Sequence, residues 1–189
     1  MTDKKGKFYC VFGMSGSGKS TLVRYLLEKN DNVEYFRTTT TRKPRPEELS
    51  AGSLEYEFVT LEEYAQRMSA TPNWNHNEVF GNYYGSDLGR LNEGLAQGKS
   101  FVSILKLEKA RLERLKYQER PYEVVTILIN TKPEISIPRL THERPFHERS
   151  RLIEEVEPNL EEIHNLFDHI IYPTGEIKID CENFLNLFI

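Results

Sequence analysis

Gly13-Met14-Ser15-Gly16-Ser17-Gly18-Lys19-Ser20 is a complete G-x-x-x-x-G-K-S stretch, set between an apolar run and a helix-like pattern. A loop of this kind is built to hold a triphosphate. Its glycines let successive backbone N–H groups turn inward at phosphate oxygens, its lysine reaches the β- and γ-phosphates, and its serine hydroxyl can ligate Mg²⁺. The context fits, because residues 7–12 read as a buried strand and residues 20–27 carry apolar side chains at helical spacing. The motif assigns Gly13, Ser15, Gly16, Ser17, Gly18, Lys19, Ser20 and Thr21 to ATP, with Ser20 on the metal. A glycine-rich turn without a ligand is the plainer reading, and the strand-loop-helix context speaks against it.

The 189 residues suit one α/β domain spanning 1–189, long enough to bury a real core. A net charge of -4 gives no electrostatic case for nucleic acid, and no polybasic membrane patch is present. No apolar stretch is long enough to span a bilayer, and residues 1–7 lack a signal-peptide pattern, so a cytoplasmic location is expected. Cys10 and Cys181 supply neither a metal quartet nor a disulfide framework and read as reduced thiols. Monomer and homodimer stay open.

Strand-like residues 33–36, 55–60 and 77–80 flank a proline-rich, cationic stretch at 38–46, a short helix at 61–68 and a turn at Gly81-Asn82. Strands this close, without long crossover helices, imply a small, partly antiparallel lobe at about residues 33–90. The core is then residues 1–32 and 91–189. Helical sequence at 87–97, 107–117, 135–140, 148–167 and 179–188 alternates with strands at 101–105, 124–129 and 169–172. Such alternation predicts a parallel sheet flanked by helices, as in P-loop nucleoside triphosphate hydrolases.

Three further motifs follow in order: Thr39-Thr40-Thr41-Arg42-Lys43-Pro44-Arg45, Glu55-Tyr56-Glu57-Phe58-Val59 and Glu78-Val79-Phe80-Gly81-Asn82-Tyr83-Tyr84-Gly85-Ser86. With the phosphate loop ahead of them, the chain resembles the guanylate kinase family, strongly over residues 8–86 and weakly afterward. The resemblance implies an acceptor phosphate held by Arg42, Arg45, Tyr56 and Tyr84, and an acceptor base read by Thr38, Asn75 and Ser86. The residue chemistry agrees. A dianionic acceptor beside an ATP γ-phosphate needs fixed cations and hydroxyl donors, and the two arginines are spaced to give one clamp. Solvated cations and half-buried aromatic packing are the bland alternatives.

Two regions depart from the family pattern. Thr38 keeps the hydroxyl of the usual serine, but Asn75 stands where the family has a glutamate. Guanine presents N1–H and an exocyclic amine, which a carboxylate accepts together, whereas a carboxamide offers one acceptor and one donor. Altered or relaxed base choice is expected, with an alignment shift inside Trp74-Asn75-His76-Asn77-Glu78 as the competing explanation. Farther on, Ile104 and Lys106 fall where the family carries strand-end aspartates, which questions one base contact and the outer support of Mg²⁺. Lys106 reads equally as a phosphate ligand or as a solvent-facing lysine.

Residues 139–151 resemble a shortened lid whose arginines would close on the transferring phosphoryl group beside Lys19 and Arg42. Arg139, Arg144 and Arg151 are its candidate catalytic residues, with Arg149 a close rival and a charged helix face the alternative. The expected function is ATP- and Mg²⁺-dependent phosphoryl transfer to a purine nucleoside monophosphate, GMP or dGMP first. A kinase for another or modified nucleoside monophosphate and a non-catalytic phosphate-recognition module remain as rivals. An intact Lys19 and Ser20 weigh against the module.

Overall fold

The computed structural model describes residues 5–50, 53–143 and 160–188. In chain order the elements begin with β1 (Lys7–Gly13), α1 (Lys19–Lys29), β2 (Val33–Tyr35), β3 (Thr38–Thr40), α2 (Pro46–Ser50) and β4 (Tyr56–Phe58). Next come α3 (Leu61–Ala70), β5 (Trp74–Val79), β6 (Asn82–Asp87), α4 (Leu88–Ala96), β7 (Ser100–Ile104) and α5 (Lys109–Tyr117). The chain continues with β8 (Glu123–Ile129), α6 (Pro133–Glu143), α7 (Leu160–Ile163), β9 (His169–Ile171) and α8 (Ile177–Leu185).

β1 is the centre of a five-stranded sheet ordered β2-β7-β1-β8-β9, and every neighbouring pair is parallel. Its residues Phe8 to Phe12 are all buried because helices cover both faces. Tyr9 and Val11 pack with Leu22, Val23 and Leu26 of α1 and Phe184 of α8. Phe8, Cys10 and Phe12 face the other way, onto Leu91 and Leu95 of α4 and Leu112 of α5. The alternation of side chains along one strand thus builds two cores from consecutive residues. Cys10 and Cys181 are buried and unpaired. Among the described residues no helix is long and apolar enough to cross a membrane.

Strand order reverses at β1, whose neighbours β7 and β8 both lie far along the chain. A ligand crevice opens at such a switch point, beyond the carboxyl ends of the strands. Residues 13–20 leave β1 at that place.

A second sheet, ordered β4-β3-β6-β5, forms the lobe and is mixed in direction, with β3 and β4 parallel and the other pairs antiparallel. One face packs on α3, where Tyr64 is 2% exposed and contacts the rings of Trp74, His76 and Tyr83. A capping box between Thr60 and Glu63 starts this helix. Gly85 admits the cluster: a Cβ there would stand 2.2 Å from Trp74 Nε1 and 2.5 Å from the Tyr64 hydroxyl.

Several boundaries differ from those read in the sequence. Strand β2 joins the large sheet, since a strand, helix, strand sequence crosses over into parallel pairing, and the lobe's own sheet starts at Thr38. The expected strand at 77–80 begins earlier, at Trp74, and Phe80-Gly81 rather than Gly81-Asn82 makes the hairpin turn. Phe80 holds φ 50° and is wholly exposed. Of the helix expected over 148–167, residues 160–163 are helical, 164–166 form a 3₁₀ turn and Phe167 is extended. Residues 148–159 lie outside the described residues.

Candidate active site

The loop after β1 is shaped by its glycines. Gly16 and Gly18 hold φ 74° and 90°, and Gly18 stands at the N-cap of α1 with no side chain capping the first turn. Amides at such a turn point outward at a helix end that favours anions. The Lys19 ammonium lies across the loop, donating to Gly13 O (3.0 Å), Met14 O (2.7 Å) and Ser17 Oγ (3.3 Å). Ser20 and Thr21 are exposed at the mouth, while Ser15 is partly buried within the loop. Thr131, just beyond β8, donates its buried hydroxyl to Ser17 O at 3.0 Å and so pins the loop to the sheet. Arg139 of α6 donates to Gly16 O at 3.5 Å, which sets this arginine against the same loop. Arg144 and Arg151, with Arg149, lie outside the described residues.

The residues expected to hold the acceptor meet on the face of the small sheet opposite α3. Thr38 pairs with Tyr56 and Asn75 with Ser86, while Thr39 opposite Gly85 and Thr40 opposite Tyr84 set Thr38 beside Ser86. Tyr56, Thr38, Ser86 and Asn75 therefore form one row across four strands. The register of β5 on β6 is unbroken from Trp74 to Val79, so Asn75 stands in the same row as Ser86 and Thr38. Trp74 points to the other face, where its indole donates to the Tyr64 hydroxyl at 3.2 Å. Thr40 and Tyr84 make the next row, and the Tyr84 and Tyr56 rings meet edge to face at 6.2 Å.

Arg42 lies 5.1 Å from the Tyr56 ring and 5.2 Å from the Phe58 ring, positions that suit cation–π contact. It is also held in a fork by Glu48, Nη1 to Oε2 at 3.0 Å and Nη2 to Oε1 at 2.7 Å. Burial works against the Glu48 charge, but Arg42 and the Arg45 backbone N–H outweigh it and hold the carboxyl below its ordinary range. The Arg45 N–H donates to Glu48 Oε2, and the Arg45 side chain is exposed beside this site. Glu48 was missed in the sequence. Its signal was there: Pro46 opens α2 and a glutamate three residues after Arg45 reaches back to the cap N–H.

The two halves touch. Ser20 Oγ donates to Glu55 Oε1 at 3.4 Å, and Glu55 directly precedes Tyr56 of the row formed with Thr38, Ser86 and Asn75. Burial pushes the Glu55 carboxyl up, with the Lys19 charge and the Ser20 hydroxyl pulling it down. Ile104 ends β7 with its N–H on the Tyr35 hydroxyl at 2.9 Å. Lys106 is exposed and pairs with Glu108 at 3.5 Å, which favours the solvent-facing reading of this lysine.

A family model of guanylate kinase matches residues 5–175. The chain belongs to the guanylate kinase family. It is 35% identical over 127 residues to the guanylate kinase of Clostridium perfringens, a match covering 67% of this chain and 56% of that one. With the guanylate kinase of Chlamydia caviae it shares 30% identity over 186 residues, 97% of this chain and 87% of the other. The crystal structure of guanylate kinase from Anaplasma phagocytophilum has the same fold, with TM-score 0.62 at 24% identity over 98% of this chain and 85% of that one. In the C. perfringens comparison the chain thus spans little more than half of its relative's length. The guanylate kinase fold accounts for the P-loop α/β core and the position of the small sheet beside it.

Proposed function

We propose that the protein transfers the γ-phosphoryl group of ATP to a purine nucleoside monophosphate, with GMP and dGMP as principal acceptors and weakened discrimination against IMP. One observation carries this reading: the contact of Ser20 with Glu55 brings the phosphate loop against the strand that begins the acceptor row. A donor site and an acceptor site that adjoin in this way permit direct transfer between two bound nucleotides.

The loop suits a triphosphate because its glycine geometry and uncapped helix start present amides together with one ammonium. Ser20 would hold Mg²⁺, which when bound neutralises β- and γ-oxygen charge. Among the described residues no group of three or more His, Cys, Asp or Glu could hold a metal ion by itself, which agrees with an ion bound largely through phosphates. Lys19 exchanges its carbonyl contacts for phosphate oxygens. Arg42, fixed by Glu48 and backed by two rings, faces the acceptor phosphate with Arg45, Tyr56 and Tyr84. Arg139 reaches the transferring group from α6, and Arg144 and Arg151 are proposed to join it. The acceptor phosphate is anionic near neutral pH, so no general base is required, and positioning with charge stabilisation carries the rate.

This reading places a single guanylate kinase-like unit in the cytoplasm, acting on soluble nucleotides without nucleic acid. Acidic net charge and two unpaired buried cysteines support it. The test is ADP release with ATP, Mg²⁺ and each of GMP, dGMP, IMP, AMP, CMP and UMP. Turnover is expected with GMP and dGMP first and with IMP close behind. Tight ATP binding with no turnover on any acceptor would replace the kinase with a recognition module.

A further inference from the structure

In P-loop proteins the hydroxyl that ligates Mg²⁺ is accompanied by an acid from the end of a nearby strand. The strands beside β1 do not supply one here. β7 runs on from Ile104 through Leu105, Lys106 and Leu107, and β8 from Ile129 through Asn130 and Thr131. Their polar groups are otherwise engaged: Lys106 pairs outward with Glu108, and the Thr131 hydroxyl donates to Ser17 O.

Glu55 supplies a carboxylate from elsewhere. It comes from the acceptor lobe, partly buried, and accepts the Ser20 hydroxyl at 3.4 Å. Burial pushes the Tyr35 hydroxyl up, with the Glu55 charge adding to the rise, and this hydroxyl receives the Ile104 N–H at the end of β7, the same end from which the missing acid would project. A hydroxyl that gives a lone pair to a cation still carries a proton, and a carboxylate that accepts this proton orients the oxygen and strengthens it as a ligand.

We propose that Glu55 is a positioning residue for nucleotide-bound Mg²⁺, replacing from the acceptor lobe the carboxylate that the strand ends lack. The proposal rests on the phosphoryl-transfer reading and deepens it. Because Tyr56 follows Glu55 directly, one short stretch at the start of β4 joins the proposed metal site to the proposed acceptor row.

Calorimetric titration of ATP into the full chain, once with Mg²⁺ in excess and once in EDTA, tests this without acceptor or turnover. Glu55→Gln is expected to weaken Mg²⁺·ATP binding by about 10–100-fold while ATP binding in EDTA stays unchanged. Glu55→Asp should recover part of the loss, and Ser20→Ala should reproduce it. Equal Mg²⁺·ATP affinity in Glu55→Gln, or an equal loss in EDTA, overturns the role of Glu55. If Glu55→Gln does not fold, the Mg²⁺ midpoint of ATP-loaded Glu55→Asp decides: a shift supports the proposal and no shift overturns it. A parent chain that binds ATP in neither buffer refutes the phosphoryl-transfer reading, and this proposal falls with it.

Discussion

Replacing Asn75 by glutamate should restore a guanine-reading carboxylate to a row already in register with Thr38 and Ser86. In the parent chain a carboxamide at this place would accept one of guanine's two adjacent N–H donors and turn its own N–H₂ toward the other. Hypoxanthine lacks the exocyclic amine, so IMP escapes that clash. A hydrogen bond to a charged acceptor is worth about 1.5–3 kcal/mol net, and the exposure of Asn75 argues for the lower part of that range. At about 1.4 kcal/mol per decade, Asn75→Glu is expected to raise the GMP-to-IMP ratio of kcat/KM by about 10–30-fold. AMP, which presents an acceptor at N1, should be used less well than before. The assay is coupled ADP release at subsaturating acceptor for both chains. A parent chain that already prefers GMP to IMP by two decades, or a variant whose ratio does not move, would refute the argument that Asn75 reads the base edge.

Other outcomes follow from the same geometry. Lys19→Met removes the only side-chain cation that the loop sequence itself carries, and kcat should fall by about 10²–10³-fold, read by single-turnover kinetics. Gly85→Ala drives a methyl into Trp74 and Tyr64 and should cost about 1–3 kcal/mol, measured as a lowered melting temperature. Phe80→Asn relieves a left-handed backbone at an exposed hairpin tip, and a gain of about 1 kcal/mol, or about 2–4 °C, is expected by calorimetry. Glu48 has a folded pKa below its ordinary 4.5, so its contribution is present above that value and fades as pH falls through the folded one. Glu48→Gln should therefore melt below the parent at neutral pH, with the gap closing in acid.

What the sequence disclosed, and what it withheld, has a physical pattern. The phosphate loop was legible because its backbone conformation demands glycines at fixed places, and the β1 core because five consecutive apolar residues need cover on both sides. The residues proposed for the acceptor were named through resemblance, but their alignment in one row depended on strand register, which periodicity alone does not fix around Asn75. Glu55 and Thr131 escaped notice because their partners Ser20 and Ser17 lie 35 and 114 residues away, a proximity that only the folded chain creates. The lobe boundary was misplaced at β2 because a three-residue strand carries no mark of the sheet it will join.

The two sheets share no strand: the residues proposed to face the base stand on β3, β5 and β6, while the phosphate loop springs from β1. Selection can therefore redraft the acceptor preference by single exchanges in the lobe while the energy-donating machinery is inherited intact. An asparagine at residue 75, where the resemblance implies a glutamate, is what such modular divergence would leave behind.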